Sequence, residues 1–285
     1  MIPARRSDDR DHAGTLPAVP LIDGPDCRLW VEVLGDGDPV SVVAHGITSS
    51  SEEIAYFAHN AAGTRILFDF RGHGRSEAPP EEAGYDYPAM RRDLEFVADT
   101  YGATRAFGVS MGAGAILNLV ADRPDRFERI VLFIPARVDA AHEAAKDRYP
   151  PLAHLLETMT LEEVADMAVA APESQPLFET RPQWRHLIRA RALRMNATGI
   201  PRALRASVDG AQPLADASVL SRVTAPTLIL AHEGDPLHPA EVAHRLAELL
   251  PNAELRMWPE PLSMLDDPLA FANRVAAFLS GAAVA

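Results

Sequence analysis

Seven short runs of the chain are largely apolar: LWVEVL (29–34), VSVVAH (40–45), RILFDF (65–70), AFGVS (106–110), IVLFIP (130–135), TLILAH (227–232) and ELRMW (254–258). Most have no regularly polar alternate face, so they predict strands covered on both sides, as in a parallel sheet. Between them, apolar residues recur at intervals of three and four. The stripes are Met90, Leu94, Val97 and Ala98; Ile116, Leu119 and Val120; Val242, Leu246, Leu249 and Leu250; and Ala272, Val275 and Leu279. Such stripes are the core-facing sides of amphipathic helices. Strands alternating with helices predict an α/β fold, a mostly parallel central sheet flanked by helices.

From 138 to 218 the alternation stops, and helical segments broken by proline follow one another: PPLAHLLETM, LEEVADMAVAA, PQWRHLIRARALRMN and IPRALRASVDG. This predicts a helical cap inserted into a core made of residues 26–137 and 219–285, with residues 1–25 as a flexible N-terminal tail. Phe178, Trp184, Leu187 and Met195 are candidates to line a pocket under the cap, or simply to pack within it.

Charge and cysteine content narrow the function. With 27 basic and 40 acidic residues the net charge is −13, a field that repels phosphate backbones and anionic membrane surfaces. Nucleic acid and membrane partners are not expected; a small-molecule substrate is. No apolar run approaches the eighteen or so residues of a membrane span. The N-terminus, MIPARRSDDRDHAGTLPAVPLIDG, lacks the apolar core of a signal peptide. One cysteine, Cys27, excludes a disulfide scaffold and reads as a buried or edge thiol. Together these features predict a cytoplasmic protein. Asp8, Asp9, Asp11 and His12 lie close together in a polar tail and read as solvated rather than metal-binding.

The strongest chemical signal is FGVSMGAG (107–114), a G-x-S-x-G directly after a buried strand and directly before a helix. A sharp turn there lifts Ser110 out of the sheet, and Gly108 and Gly112 relieve its crowding. Three stretches follow apolar strands in a matching order. AHGITSS (44–50) offers the Ile47 amide, which with the Met111 amide makes two donors for a developing oxyanion. DFRGHGRSEAP (69–79) is a glycine-rich charged loop, and AHEGDPLHP (231–239) puts Asp235 where a carboxylate can orient an imidazole.

With these four stretches the sequence resembles the α/β-hydrolase fold family, specifically its capped esterase and epoxide-hydrolase-like members, over about residues 28–280. The resemblance implies Ser110 as nucleophile, Asp235 as triad acid, and Ile47 and Met111 as oxyanion-hole amides. It also implies that Arg71, His73 and His45 brace loops rather than catalyse. GVSMGAG lacks the G-x-G-x-x-G arrangement, so no nicotinamide or flavin is expected. The ligand-type residues of HEGDPLH are better explained by the role of Asp235 than by a metal.

One element of the family pattern is missing. The family's base is a histidine after the last strand, in a loop G-H-x-x-x-x-E-x-P that runs into the final helix. Aligning Pro268 with that proline places the expected histidine at Pro261, and no histidine occurs after His244. Three readings are open. In the first, a substitute base comes from His238 on the Asp235 loop, whose plainer reading is a packing or surface residue, or from Glu260 or the more remote His154 and His186. Alternatively, the fold performs a non-hydrolytic cyclase, isomerase or lyase-type step. Or the protein binds without catalysing.

Overall fold

The computed structural model describes residues 21–81 and 84–281. Eight strands form one sheet: β1 (Leu21–Asp23), β2 (Arg28–Leu34), β3 (Val40–Ala44), β4 (Thr64–Phe68), β5 (Arg105–Val109), β6 (Arg129–Phe133), β7 (Thr227–His232) and β8 (Ala253–Trp258). Their order is β1-β2-β4-β3-β5-β6-β7-β8. The β1–β2 and β2–β4 pairs are antiparallel, and every pair from β4 to β8 is parallel. The seven predicted strands are all present. β1 was not expected: it falls inside the segment assigned to the N-terminal tail, so that assignment is corrected at Leu21–Asp23. Three residues are too few to display an alternating pattern, and only their ladder with Arg28–Trp30 defines them. Residues 1–20 of the expected tail, with Asp8, Asp9, Asp11 and His12, lie outside the described residues.

Both faces of the sheet are covered. Val42, Ile66, Ala106, Leu132 and Ile229 belong to one apolar cluster, while their neighbours Val43, Leu67, Phe107, Val131 and Leu230 belong to another. The first is closed by α2 (Tyr87–Thr100), α3 (Met111–Asp122) and α9 (Ala240–Leu249) through Met90, Leu94, Ile116 and Leu246. The second is closed by α1 (Ser51–Ile54), the 3-10 turn Ala55–Ala58 and α10 (Pro268–Ser280) through Ile54, Ala58, Phe271 and Val275. Apolar residues at period two, apolar on both phases, are what a doubly covered sheet requires.

Between β6 and β7 run α4 (Glu143–Thr158), α5 (Leu161–Ala170), α6 (Gln175–Thr180), α7 (Gln183–Leu193) and α8 (Gly199–Asp209). α4 packs along α8 and α5 along α7. The ends of the insertion meet where the Leu214 N–H donates to the Val138 carbonyl at 3.0 Å.

The charged loop after β4 is anchored by buried ions. Arg71 and Asp93 side chains are both fully buried, and the guanidinium reaches Asp93 Oδ2 through Nε (2.9 Å) and Asp93 Oδ1 through Nη2 (2.6 Å). It also donates to Asp26 Oδ2 at 2.6 Å. One side chain thus ties the β1–β2 turn, the β4 loop and α2 together, the bracing role the sequence implied. Cys27 is half-buried, and burial pushes its thiol up to about 12, so it stays protonated and unreactive.

Candidate active site

Ser110 joins β5 to α3 with φ 51° and ψ −105°, a left-handed conformation that costs about 1–3 kcal/mol in a non-glycine residue. The turn is locked on both sides: the Ser110 N–H donates to the Phe133 carbonyl at 2.9 Å, and its own carbonyl accepts from Gly114 at 3.1 Å. The flanking glycines are there for space. A Cβ at Gly112 would lie 2.3 Å from the Ala44 carbonyl oxygen, and one at Gly108 would lie 2.7 Å from the Ala113 nitrogen.

The loop after β7 reads DPLH, and it is a tight turn. The His238 N–H donates to the Asp235 carbonyl at 3.1 Å, and the Leu237 N–H donates to Asp235 Oδ1 at 2.8 Å. Asp at the first position and proline at the second are the residues such a turn favours. Its result is chemical: the remaining carboxylate oxygen, Oδ2, faces His238 Nδ1 at 2.8 Å, and His238 Nε2 lies 2.9 Å from Ser110 Oγ. With Nδ1–H donating to the carboxylate, Nε2 carries the lone pair and accepts from the serine hydroxyl. Burial pushes the Asp235 carboxyl up, but the His238 hydrogen bond and charge and the Leu237 amide outweigh it and hold it at about 2.

The other candidate bases lie elsewhere. Glu260 is exposed, its carboxylate 3.7 Å from Arg181, and His154 and His186 are exposed on α4 and α7. Pro261, where the family's histidine was expected, lines the same cavity as Ser110, with its Cδ 3.6 Å from where a Gly234 Cβ would stand. His232 is buried, which lowers its pKa, and its Nε2 is 3.9 Å from Asp235 Oδ2.

The Met111 amide opens α3, where the first N–H groups of a helix have no intrahelical partner. Ile47 sits in the turn closed by Ser49 N–H to Gly46 O (3.1 Å), and a Cβ at Gly46 would lie 3.6 Å from Ser110 Cβ. Two buried histidines hold this turn. His45 Nδ1–H donates to Gly46 O at 2.8 Å and its Nε2 accepts from the Phe70 N–H at 3.0 Å. Burial and the neighbouring His73 push its pKa well below the usual imidazole range, so it is neutral. His73 is wedged between Arg71 O (2.8 Å) and Ile47 O (2.7 Å), and burial lowers its pKa too.

Above Ser110 is a cavity of about 610 Å³, bounded by the strand ends, residues 261–265, Phe57, and Arg148, Tyr149, Leu152, Trp184 and Arg191 of the insertion. A second cavity of about 540 Å³ shares Phe57, Trp184 and the Glu53–Arg191 ion pair with it and continues along Leu187 and Met195. Of the four candidates proposed from sequence, Trp184, Leu187 and Met195 therefore line cavities. Phe178 is buried beneath Arg185. Among the described residues no group of three or more metal-ligating side chains converges, HEGDPLH included.

A model of the α/β hydrolase fold matches residues 39–260. The chain belongs to the α/β-hydrolase family. The proposed carbamate hydrolase RutD of Caulobacter sp. (strain K31) is 30% identical over 229 residues, 76% of this chain and 81% of that protein. Esterase YbfF of Escherichia coli (strain K12) is 32% identical over 102 residues, 34% of this chain and 39% of its own. Among solved structures, the enol-lactonase of Burkholderia xenovorans LB400 superposes with a TM-score of 0.75 at 22% identity, covering 92% of this chain and all (100%) of that one. A hydrolase from Pseudomonas aeruginosa PA01 gives 0.74 at 23% identity over 93% and 99%. Among the described residues of this α/β hydrolase, no helix is long and apolar enough to cross a membrane.

One contributor was missed from sequence altogether. His142, at the N-terminus of α4, donates Nε2–H to the Leu237 carbonyl at 2.7 Å and caps the helix by accepting the Ala145 N–H at Nδ1 (3.3 Å). It joins the insertion to the turn that carries His238. The signal in sequence is weak, because VDAAHEAAK places no serine, threonine or aspartate directly at that cap. Substituting His142 by alanine is expected to lower kcat about three- to tenfold with KM little changed, because one neutral hydrogen bond holding the turn is lost; steady-state kinetics on an ester checks this.

Proposed function

We propose that this chain is a serine hydrolase of esters, with His238 as general base in place of the histidine missing after β8. Ser110 Oγ attacks the substrate carbonyl carbon as His238 Nε2 takes the hydroxyl proton, and the carbonyl oxygen becomes an oxyanion held by the Ile47 and Met111 amides. The tetrahedral intermediate collapses, the His238 proton passes to the departing alkoxide, and an acyl-serine remains. Water, deprotonated by His238, then releases the acid and regenerates Ser110. Asp235 stays ionised throughout, fixing the imidazole tautomer and stabilising the imidazolium.

The observation that carries this reading is the Nε2–Oγ separation of 2.9 Å together with the 2.8 Å link to Asp235. The relatives named as carbamate hydrolase and esterase support hydrolysis, and acyl transfer at a carbamate carbonyl follows the same steps. A cavity of about 610 Å³ suits a small or medium-sized substrate. The test is turnover of p-nitrophenyl acetate, with mass spectrometry of the stopped reaction. An acetyl group on the Ser110 peptide is expected; no turnover and no acylation would favour a non-hydrolytic or binding role.

Acid dependence follows from Asp235. Its carboxyl is lowered from 3.8 to about 2 by folding, so its contribution to stability is complete above about pH 4 and is lost as the pH falls through about 2. It is therefore ionised over the whole working range. Asp235 is expected to contribute nothing to the acid limb of kcat/KM above about pH 4; a limb of slope two there would mean that a carboxylate titrates in that range.

A further inference from the structure

The charged groups around the cavity are paired, with one exception. Glu53 bonds Arg191 and Ser49, and Asp235 bonds His238 and Leu237. Arg148 lines the cavity from α4, is exposed at its rim, and has no hydrogen bond, ion pair or ring contact among the described residues. Among the described arginines only Arg274 shares that state, and Arg274 does not line the cavity. In a chain with 40 acidic residues, an arginine without a carboxylate partner on the wall of this cavity is a cation available to a ligand.

A second group points the same way. Tyr149, the next residue of α4, is 7% exposed, lines the same cavity, and its hydroxyl has no hydrogen-bond partner. Burial pushes the phenol up to about 12, so the hydroxyl keeps its proton and can donate it. The hydroxyl oxygen is not sealed from solvent, so a ligand in the cavity can bond it. A guanidinium and a phenolic donor on one helix, with no acidic side chain taking either, match an anionic acceptor.

We infer that Arg148 and Tyr149 form a subsite for a carboxylate carried by the substrate, so that the preferred esters are monoesters of dicarboxylic acids or esters of comparable anionic form. This rests on the proposed ester hydrolysis at Ser110. The rim position of Arg148 puts the carboxylate at the far end of the bound molecule from the scissile carbonyl.

The test compares kcat/KM for p-nitrophenyl hydrogen adipate and p-nitrophenyl hexanoate, alike in chain length and differing in the terminal charge. In the native protein the adipate ester is expected to be favoured by about tenfold, the lower end of a charge-assisted hydrogen bond at an exposed rim, and the advantage should shrink with added salt. Arg148→Gln should remove that ratio and Tyr149→Phe should reduce it, whereas Arg274→Gln, which deletes the same charge elsewhere, should leave it intact. A ratio near one in the native protein, or equal shifts in Arg148→Gln and Arg274→Gln, would overturn the subsite while leaving the hydrolase reading standing. If neither ester is turned over, both fall together.

Discussion

Replacing His238 with alanine is expected to lower kcat on a p-nitrophenyl ester by about 10⁴-fold or more, while the variant unfolds at nearly the native temperature. The reason is that a serine hydroxyl is scarcely ionised at neutral pH and depends on an adjacent base. Removing the base leaves only the contribution of the oxyanion donors and binding, about 10³- to 10⁴-fold over water. No other imidazole replaces it. His232 is buried; its Nδ1 faces the Glu233 carbonyl at 3.3 Å and its Nε2 lies 3.9 Å from Asp235 Oδ2. Glu260→Gln, His154→Ala and His186→Ala are expected to stay within about twofold of the native rate, since those side chains are exposed and outside the cavity. Steady-state kinetics on the four variants separates the relay from every competing base.

Arg71→Met is expected to cost stability rather than chemistry, by about 3–5 kcal/mol. Asp93 is fully buried, and its two oxygens are satisfied by the Arg71 side chain and backbone N–H. Methionine fills comparable volume but leaves the carboxylate charged or forces it to bind a proton in an apolar site. Burial alone already pushes Asp93 above the usual carboxylate range. Urea unfolding should show the loss as a lower midpoint with an unchanged slope. A loss below about 1 kcal/mol would mean that the β1–β2 turn and α2 are held by something other than this ion pair.

Much of the fold was legible because the central strands β3 to β7 are buried on both faces, and burial writes itself into composition. Their C-terminal ends were less legible. His45, Phe70, Ser110 and Ile134 continue the apolar or extended runs, yet the ladders stop before them, at Ala44, Phe68, Val109 and Phe133. There the backbone leaves the sheet to build the site, as the positive φ of Ser110 and Ile134 records.

The places of Ser110 and Asp235 were readable from motif and order. His238 was one candidate base among several, because spacing does not say which way a side chain points. In DPLH the decisive fact is the turn: Asp235 accepts the backbone of both Leu237 and His238 and so brings its own carboxylate to the imidazole three residues on. Pro261 occupies the wall of the cavity that the family's loop would otherwise furnish with an imidazole. The cavity's outer wall was least legible. Phe57 comes from a 3-10 turn, and Arg148 and Tyr149 from the mixed-polarity α4, whose packing partner α8 is distant in sequence, and no local pattern marks them.

The most direct measurement is the second-order rate constant for labelling of Ser110 by a fluorophosphonate, which reads activation of the hydroxyl without the later deacylation step. Native protein should label at Ser110, and His238→Ala should label at least about 100-fold more slowly at neutral pH, as expected when a general base is removed. Labelling of His238→Ala at the native rate would contradict the account, because the hydroxyl would then be activated by some group other than this imidazole.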